Sequence, residues 1–227
     1  MRFLILGRGK TGSLVAEVAR ERRHHVEVLT AAENPRGSCL TDERLKGVDV
    51  VLDFTTPAAV LANIEACVRA RANMVVGTTG WHEHLPKIRQ QVERAGTGFL
   101  YGANFSVGVN LFFEAARAVA EAGRYEYLGQ IFERHHQHKK DAPSGTALVL
   151  RNIVQEASGK ELEITSFREG EVVGLHELVF DSHHDRIYLC HDAKSRRGFA
   201  DGAVRAAEWL SSQRGFFDFK NVWRELA

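Results

Sequence analysis

Apolar residues recur along this chain with two different periods, and the pattern changes near residue 105. Residues 2–6 (RFLIL) form a short continuous apolar run, as a strand buried on both faces does. A helical pattern follows over 13–22, with Leu14, Val15, Val18 and Ala19 on one face. Further strands are expected over 25–30, 47–54, 73–76 and 98–101. Helices over 57–70 (Val60, Ile64 and Val68 on one side) and 84–95 separate the later ones. Short apolar strands alternating with helices predict a parallel sheet covered on both faces. Beyond 105 come a long helix over 107–122, a strand over 127–133 and a helix over 147–157 that Gly159 stops. Strand patterns over 163–168, 174–181 and 186–191 then follow one another with no helix between them, which marks α+β architecture. A last helix over 201–211, with Asp201 as its N-cap, is expected to return to the first domain. The expected fold class is α/β, with an N-terminal Rossmann-type parallel sheet in 1–105, rejoined by 199–227, and an α+β domain in 106–198.

Composition narrows the function classes. A chain of 227 residues, 44% apolar and 26% charged, suits one large or two modest soluble domains. A formal charge of +1 leaves no basic excess for neutralising phosphates, so no nucleic-acid partner is expected. Cys39, Cys67 and Cys190 are odd in number and widely spaced, which suggests reduced thiols. The N-terminal apolar run is too short for a signal segment or a membrane span, so a cytoplasmic protein without a membrane partner is expected.

The candidate chemistry begins at Gly7-Arg8-Gly9-Lys10-Thr11-Gly12, between the first strand and the first helix. In this GxGxxG spacing the first glycine permits a tight turn, the second admits a pyrophosphate, and the third packs helix on strand. The helix start offers unpaired N–H groups to the phosphates. Glu33 follows at the distance of a ribose-binding acid, which favours NAD over NADP, although Arg36 lies close by. The GxxxxGK[ST] spacing of nucleotide hydrolases is absent. Gly77-Thr78-Thr79-Gly80 and Gly102-Ala103-Asn104-Phe105 follow the fourth and fifth strands, where open α/β sheets bind ligands. Such turns also need glycine and threonine for purely structural reasons.

A second site is expected at 133–148, ERHHQHKKDAPSGTAL. It packs His135, His136, His138, Lys139 and Lys140 against a Pro143-Ser144-Gly145-Thr146 turn that should open a helix. Groups able to titrate near neutrality, followed by free amides and hydroxyls, suit proton transfer to a small carboxylate substrate. The plain alternative is a solvated polar loop. No metal is expected, because HHxH on an extended segment points neighbouring side chains to opposite faces and no cysteine lies nearby. His24-His25 and His183-His184 read as surface polar pairs. Together the residues describe a reductase of a small anion, with a non-catalytic dinucleotide-binding module as the rival.

GTTG at 77–80, ANFSVGVN at 103–110, the 133–148 segment, REGEVVGLHELVF at 168–180 and FADGAVRAAEWL at 199–210 closely resemble the 4-hydroxy-tetrahydrodipicolinate reductase family. The resemblance covers nearly the whole chain. It implies hydride transfer from NADH or NADPH to a cyclic, doubly carboxylated imine with loss of water, in the diaminopimelate route to lysine. It implies proton transfer by His135 and Lys139, and substrate contacts from His136, Gly145 and Thr146. Gly77, Thr78, Thr79 and Gly102 to Phe105 match cofactor-contacting turns, and Arg196 and Phe199 match a hinge strand that meets the cofactor. The second domain would then bind substrate and build a homotetramer through its sheets. Three features depart from many members: the glycine loop is a plain GxGxxG, the segment between Glu33 and Gly47 is short, and Asn34 stands where dual-specificity members carry arginine. The resemblance leaves NADH and NADPH both open, and the Glu33 carboxylate leans the expectation toward NADH.

Overall fold

The computed structural model describes residues 1–226. In chain order, β1 (Arg2–Leu6), α1 (Lys10–Glu21), β2 (His25–Leu29), α2 (Asp42–Leu45), β3 (Val50–Asp53), α3 (Pro57–Arg69), β4 (Met74–Val76), α4 (Leu85–Ala95) and β5 (Gly98–Tyr101) form a regular β–α alternation. Then come α5 (Val107–Val119), β6 (Leu128–His135), α6 (Gly145–Ser158), β7 (Ile164–Arg168), β8 (Leu175–Asp181) and β9 (Arg186–Asp192). The chain closes with α7 (Arg197–Leu210), β10 (Gly215–Asp218) and α8 (Phe219–Val222). Met1–Val107 and the chain from Arg197 onward make one compact unit, and Gly108–Arg196 make another.

The first unit is a six-stranded sheet in the order β10-β5-β4-β3-β1-β2, every neighbouring pair parallel. Its central strands are buried at nearly every position because both faces are covered. Val15 and Ala19 of α1 and Ala200, Ala203, Val204 and Ala207 of α7 pack on one face. Val60 and Ile64 of α3 and Ile88 and Val92 of α4 pack on the other. The small residues of α7 permit close approach, since a Cβ on Gly202 would collide with the Phe105 carbonyl.

The second unit carries a four-stranded mixed sheet, β7-β6-β8-β9, with β6 parallel to β7 and antiparallel to β8. Phe112 and Ala116 of α5 and Ala147, Leu150 and Val154 of α6 cover one face, against Ile131, Leu178 and Phe180. No helix among the described residues is long and apolar enough to cross a membrane.

Some elements depart from the sequence expectation. Helix α7 begins at Arg197, so Asp201 is not its N-cap. Asp201 sits one turn inside and accepts a hydrogen bond from Arg205 Nε at 2.8 Å. Buried Ala200 carries the apolar stripe back through the first turn, which is why the helix starts earlier. Strand β10 escapes pattern reading because GFFD is only four residues long and shows no alternation. His24 is not a surface residue. Its ring packs on Phe3 (centroids 4.4 Å apart), and Nε2 lies 2.8 Å from Glu208.

Candidate active site

Strand register assembles the core of the site. Glu133 on β6 stands opposite His176 on β8, while His135 pairs with Arg168 on β7. Glu133 and His135 are two residues apart in a strand, so both point to the helix-covered face. Glu133 is 0% exposed. Its Oε1 accepts hydrogen bonds from Arg168 Nη2 (2.7 Å) and from the Ser144 N–H (3.3 Å). Its Oε2 lies 2.6 Å from His135 Nδ1, although the two are not aligned well enough for a directed hydrogen bond. The contact is therefore chiefly Coulombic.

Electrostatics sort the two buried imidazoles. Burial lowers the His135 pKa below its ordinary value; Glu133 opposes this, and Lys139 and Arg168 add to it. Burial also works to raise the Glu133 carboxyl, but its hydrogen-bond donors and the charge of His135 prevail and hold it below the usual range. His176 stacks edge-on against His135 with centroids 5.1 Å apart. Burial first, then the charge of His135, pushes His176 down to about 4, so it is neutral at neutral pH. Its Nε2 lies 3.1 Å from Ser144 Oγ.

Ser144 joins this cluster to the start of α6. It is the N-cap, accepting the Ala147 N–H on its hydroxyl at 3.2 Å. The hydroxyl is thus committed to the cap and to His176 rather than to an incoming anion. Gly145 and Thr146 occupy the first turn, where helix amides lack internal partners, and open space surrounds the Gly145 Cα.

The loop between β6 and α6 holds the remaining polar groups. Lys139 Nζ donates to both Asp141 carboxylate oxygens, at 2.7 and 2.8 Å. Arg168 Nη2 also donates to the Asp141 carbonyl at 2.6 Å, fastening the loop to the sheet. His136 Nε2 lies 3.3 Å from Arg196 Nη2. Arg196 stands in the turn before α7 and half-buried Phe199 lies on that helix, so the expected hinge strand is not a strand.

The first unit presents the dinucleotide features. Gly7 has φ 99°, in the left-handed region, and a Cβ on Gly12 would collide with the Gly7 carbonyl. Gly9 faces open space, as a glycine admitting a pyrophosphate must. Arg8 and Lys10 are exposed beside it, and Lys10 and Thr11 open α1. Glu33 is exposed past β2 and accepts from the Thr30 N–H (2.8 Å) and hydroxyl (2.7 Å). Those two hydrogen bonds hold its carboxyl below the usual range. Asn34 turns inward and donates to Asn63 Oδ1 at 3.0 Å, and Asn63 Nδ2 in turn donates to buried Asp53 at 2.7 Å. The Thr78 hydroxyl also donates to Asp53, at 2.6 Å, so its side chain is structural while Thr79 is exposed. The Phe105 ring is buried against Phe219 (centroids 4.8 Å apart), which leaves only its backbone for a ligand. Asn104 Oδ1 accepts the Ser106 N–H at 2.9 Å, and Gly102 donates to the Val76 carbonyl at 3.1 Å.

Glu133, His135 and His176 place ligating atoms within 4.8 Å of one another. This is a grouping the HHxH segment alone does not suggest. Ligands on one tetrahedral zinc stand roughly 3.3 Å apart. The 2.6 Å Glu133–His135 separation is tighter than that, and Arg168 already compensates the carboxylate. The arrangement suits proton handling better than a metal.

Residues 1–105 match the sequence profile described as dihydrodipicolinate reductase, N-terminus, and residues 108–223 match its C-terminus counterpart. The chain belongs to the dihydrodipicolinate reductase family. A 4-hydroxy-tetrahydrodipicolinate reductase of Christiangramia forsetii is 36% identical, covering 100% of this chain and 99% of that protein. One from Neisseria gonorrhoeae is 37% identical over 80% of this chain and 74% of its own length. Among solved structures, a dipicolinate-bound dihydrodipicolinate reductase from Paenisporosarcina sp. TG-14 shares the fold at TM-score 0.80 and 24% identity, covering 98% of this chain and 99% of that one. An amine dehydrogenase from Mycobacterium smegmatis shares it at TM-score 0.63 and 10% identity, covering 95% of this chain and 93% of that one. The Rossmann-type parallel sheet and the second mixed-sheet domain are those of the family.

Glu133, Arg168, His176 and Ser144 carry the geometry, and the first three are not among the site residues expected from the sequence. The signal for Glu133 was its place two residues before His135 in a strand, which puts both on one face. Nothing local marks Arg168 or His176, because only the pairing of β6 with β7 and β8 brings them in.

Proposed function

We propose that this chain performs its family's reaction, reducing 4-hydroxy-tetrahydrodipicolinate with NAD(P)H, with His135 and Lys139 handling protons. Family membership makes it an NAD(P)H-dependent oxidoreductase of the diaminopimelate route to lysine. The balance requires one hydride and one proton to enter and one water to leave. The nicotinamide supplies the hydride. Negative charge that builds on the conjugated imine is neutralised by a proton from the His135 and Lys139 side of the site. Gly145 and Thr146 hold a substrate carboxylate at the α6 N-terminus, and His136 adds a contact. The observation that carries this reading is the joining of proton site and anion site: Ser144 both caps α6 and touches Glu133 and His176.

Gly7 to Gly12, Gly77 to Thr79 and Gly102 to Phe105 hold the dinucleotide in this proposal, with Arg196 and Phe199 contributing. NADH is the preferred form. Glu33 offers a carboxylate where a 2′-phosphate would be repelled, and Asn34 is turned away into the Asn63 contact. The substrate is a small dicarboxylate, and the protein works in the cytoplasm. It forms a homotetramer through the open face of the second sheet, where Leu128, Phe167 and Tyr188 are exposed. The direct test is oxidation of NADH by the purified protein with freshly generated 4-hydroxy-tetrahydrodipicolinate. Turnover with another imino or keto acid, and none with this substrate, would overturn the assignment.

A further inference from the structure

We infer that Glu133 is a positioning residue for the reaction: it fixes the His135 ring through Nδ1 and leaves Nε2 as the working nitrogen. This rests on the proposed role of His135 in proton transfer. Glu133 Oε2 stands 2.6 Å from His135 Nδ1, off the line of a directed hydrogen bond, and its negative charge there favours a proton on that nitrogen over a lone pair. The carboxylate cannot swing away, because Arg168 Nη2 at 2.7 Å and the Ser144 N–H at 3.3 Å hold its other oxygen. Arg168 is itself tied to the Asp141 carbonyl at 2.6 Å. On the opposite edge of the ring, Nε2 faces Gly174, where even a Cβ would lie 3.1 Å away. A glycine leaves that nitrogen uncovered where a side chain would crowd it.

Charge supports the same assignment. The groups facing His135 are Glu133 on its own strand, Arg168 on β7, His176 on β8 and Lys139 in the following loop. His176 is neutral, so Glu133 is the one anion set against two cations. Without it, burial and those cations would leave the ring harder still to protonate. The same carboxylate reaches the start of α6 through Ser144, so proton site and anion site share one anchor.

The test reads the ring directly, by ¹⁵N NMR of the histidines in the full-length protein and in Glu133→Gln. The wild-type neutral ring is expected to carry its proton on Nδ1. In Glu133→Gln the midpoint of His135 protonation should fall by about one pH unit, a change of about tenfold in proton affinity. Turnover near neutral pH should fall about tenfold or more, with the NADH dissociation constant unchanged. A wild-type ring protonated on Nε2, or an unmoved midpoint in the variant, overturns the inference. If Glu133→Gln does not fold, the wild-type tautomer alone decides. If His135→Gln keeps full turnover while Glu133→Gln still moves the midpoint, the positioning stands and the proton-transfer role fails.

Discussion

Lys139 is held by Asp141, its Nζ 2.7 and 2.8 Å from the two carboxylate oxygens. The attraction pulls the Asp141 carboxyl below its usual range. In its proposed role as proton donor, Lys139 would exchange this exposed partner for the bound dicarboxylate, which costs little because the pair is near solvent. Lys139→Ala should therefore lower kcat about 10²-fold or more, whereas Asp141→Asn should change it by less than about tenfold. Steady-state kinetics on the two variants separate the roles; equal losses would make Asp141 part of the proton path.

His176 makes stability depend on pH. The unfolded side chain protonates near 6.5 and the folded one only at about 4, so the unfolded chain binds the extra proton between these values. The contribution of neutral His176 is full above about pH 6.5 and is lost as pH falls toward 4, by roughly 3 kcal/mol in all. Urea denaturation at about pH 7.5 and about pH 5 should show a larger loss in wild type than in His176→Gln. The comparison isolates His176 from His135 and His191, whose values burial also lowers.

Much of the fold was legible in the sequence, for a physical reason. Strands such as 2–6 and 98–101 are buried on both faces, so they appear as uninterrupted apolar runs. Turn glycines such as Gly7 and Gly159 appear because their φ values, 99° and 75°, suit few other residues. The 133–148 segment was visible as chemistry, but its partners were not. Arg168 and His176 reach Glu133 and His135 through strand pairing across more than thirty positions, and no local pattern encodes that register. The burial of His24 is hidden from the sequence for the same reason, because the Glu208 that takes it up lies on a distant helix.

Thr78 is a structural residue inside the turn proposed to hold the cofactor. Its hydroxyl donates to buried Asp53 at 2.6 Å and accepts the Thr55 N–H at 2.8 Å. Thr78→Val should cost about 1–3 kcal/mol, because it leaves a buried carboxylate short of a donor. Thr78→Ser should recover most of that stability. Chemical denaturation measures the loss, and a raised KM for the dinucleotide should accompany it.

We propose that Glu33 sets the cofactor preference. Wild type should bind NADH more tightly than NADPH, and Glu33→Ala should narrow or reverse the ratio by removing the repulsion of a 2′-phosphate. Fluorescence titration with both cofactors reads this. An unchanged ratio removes Glu33 from the ribose site.

The most direct measurement is the turnover of His135→Gln with 4-hydroxy-tetrahydrodipicolinate and NADH, alongside its NADH dissociation constant. Proton transfer at His135 predicts a loss of about 10²-fold or more in kcat with cofactor affinity retained. Turnover equal to wild type would contradict it.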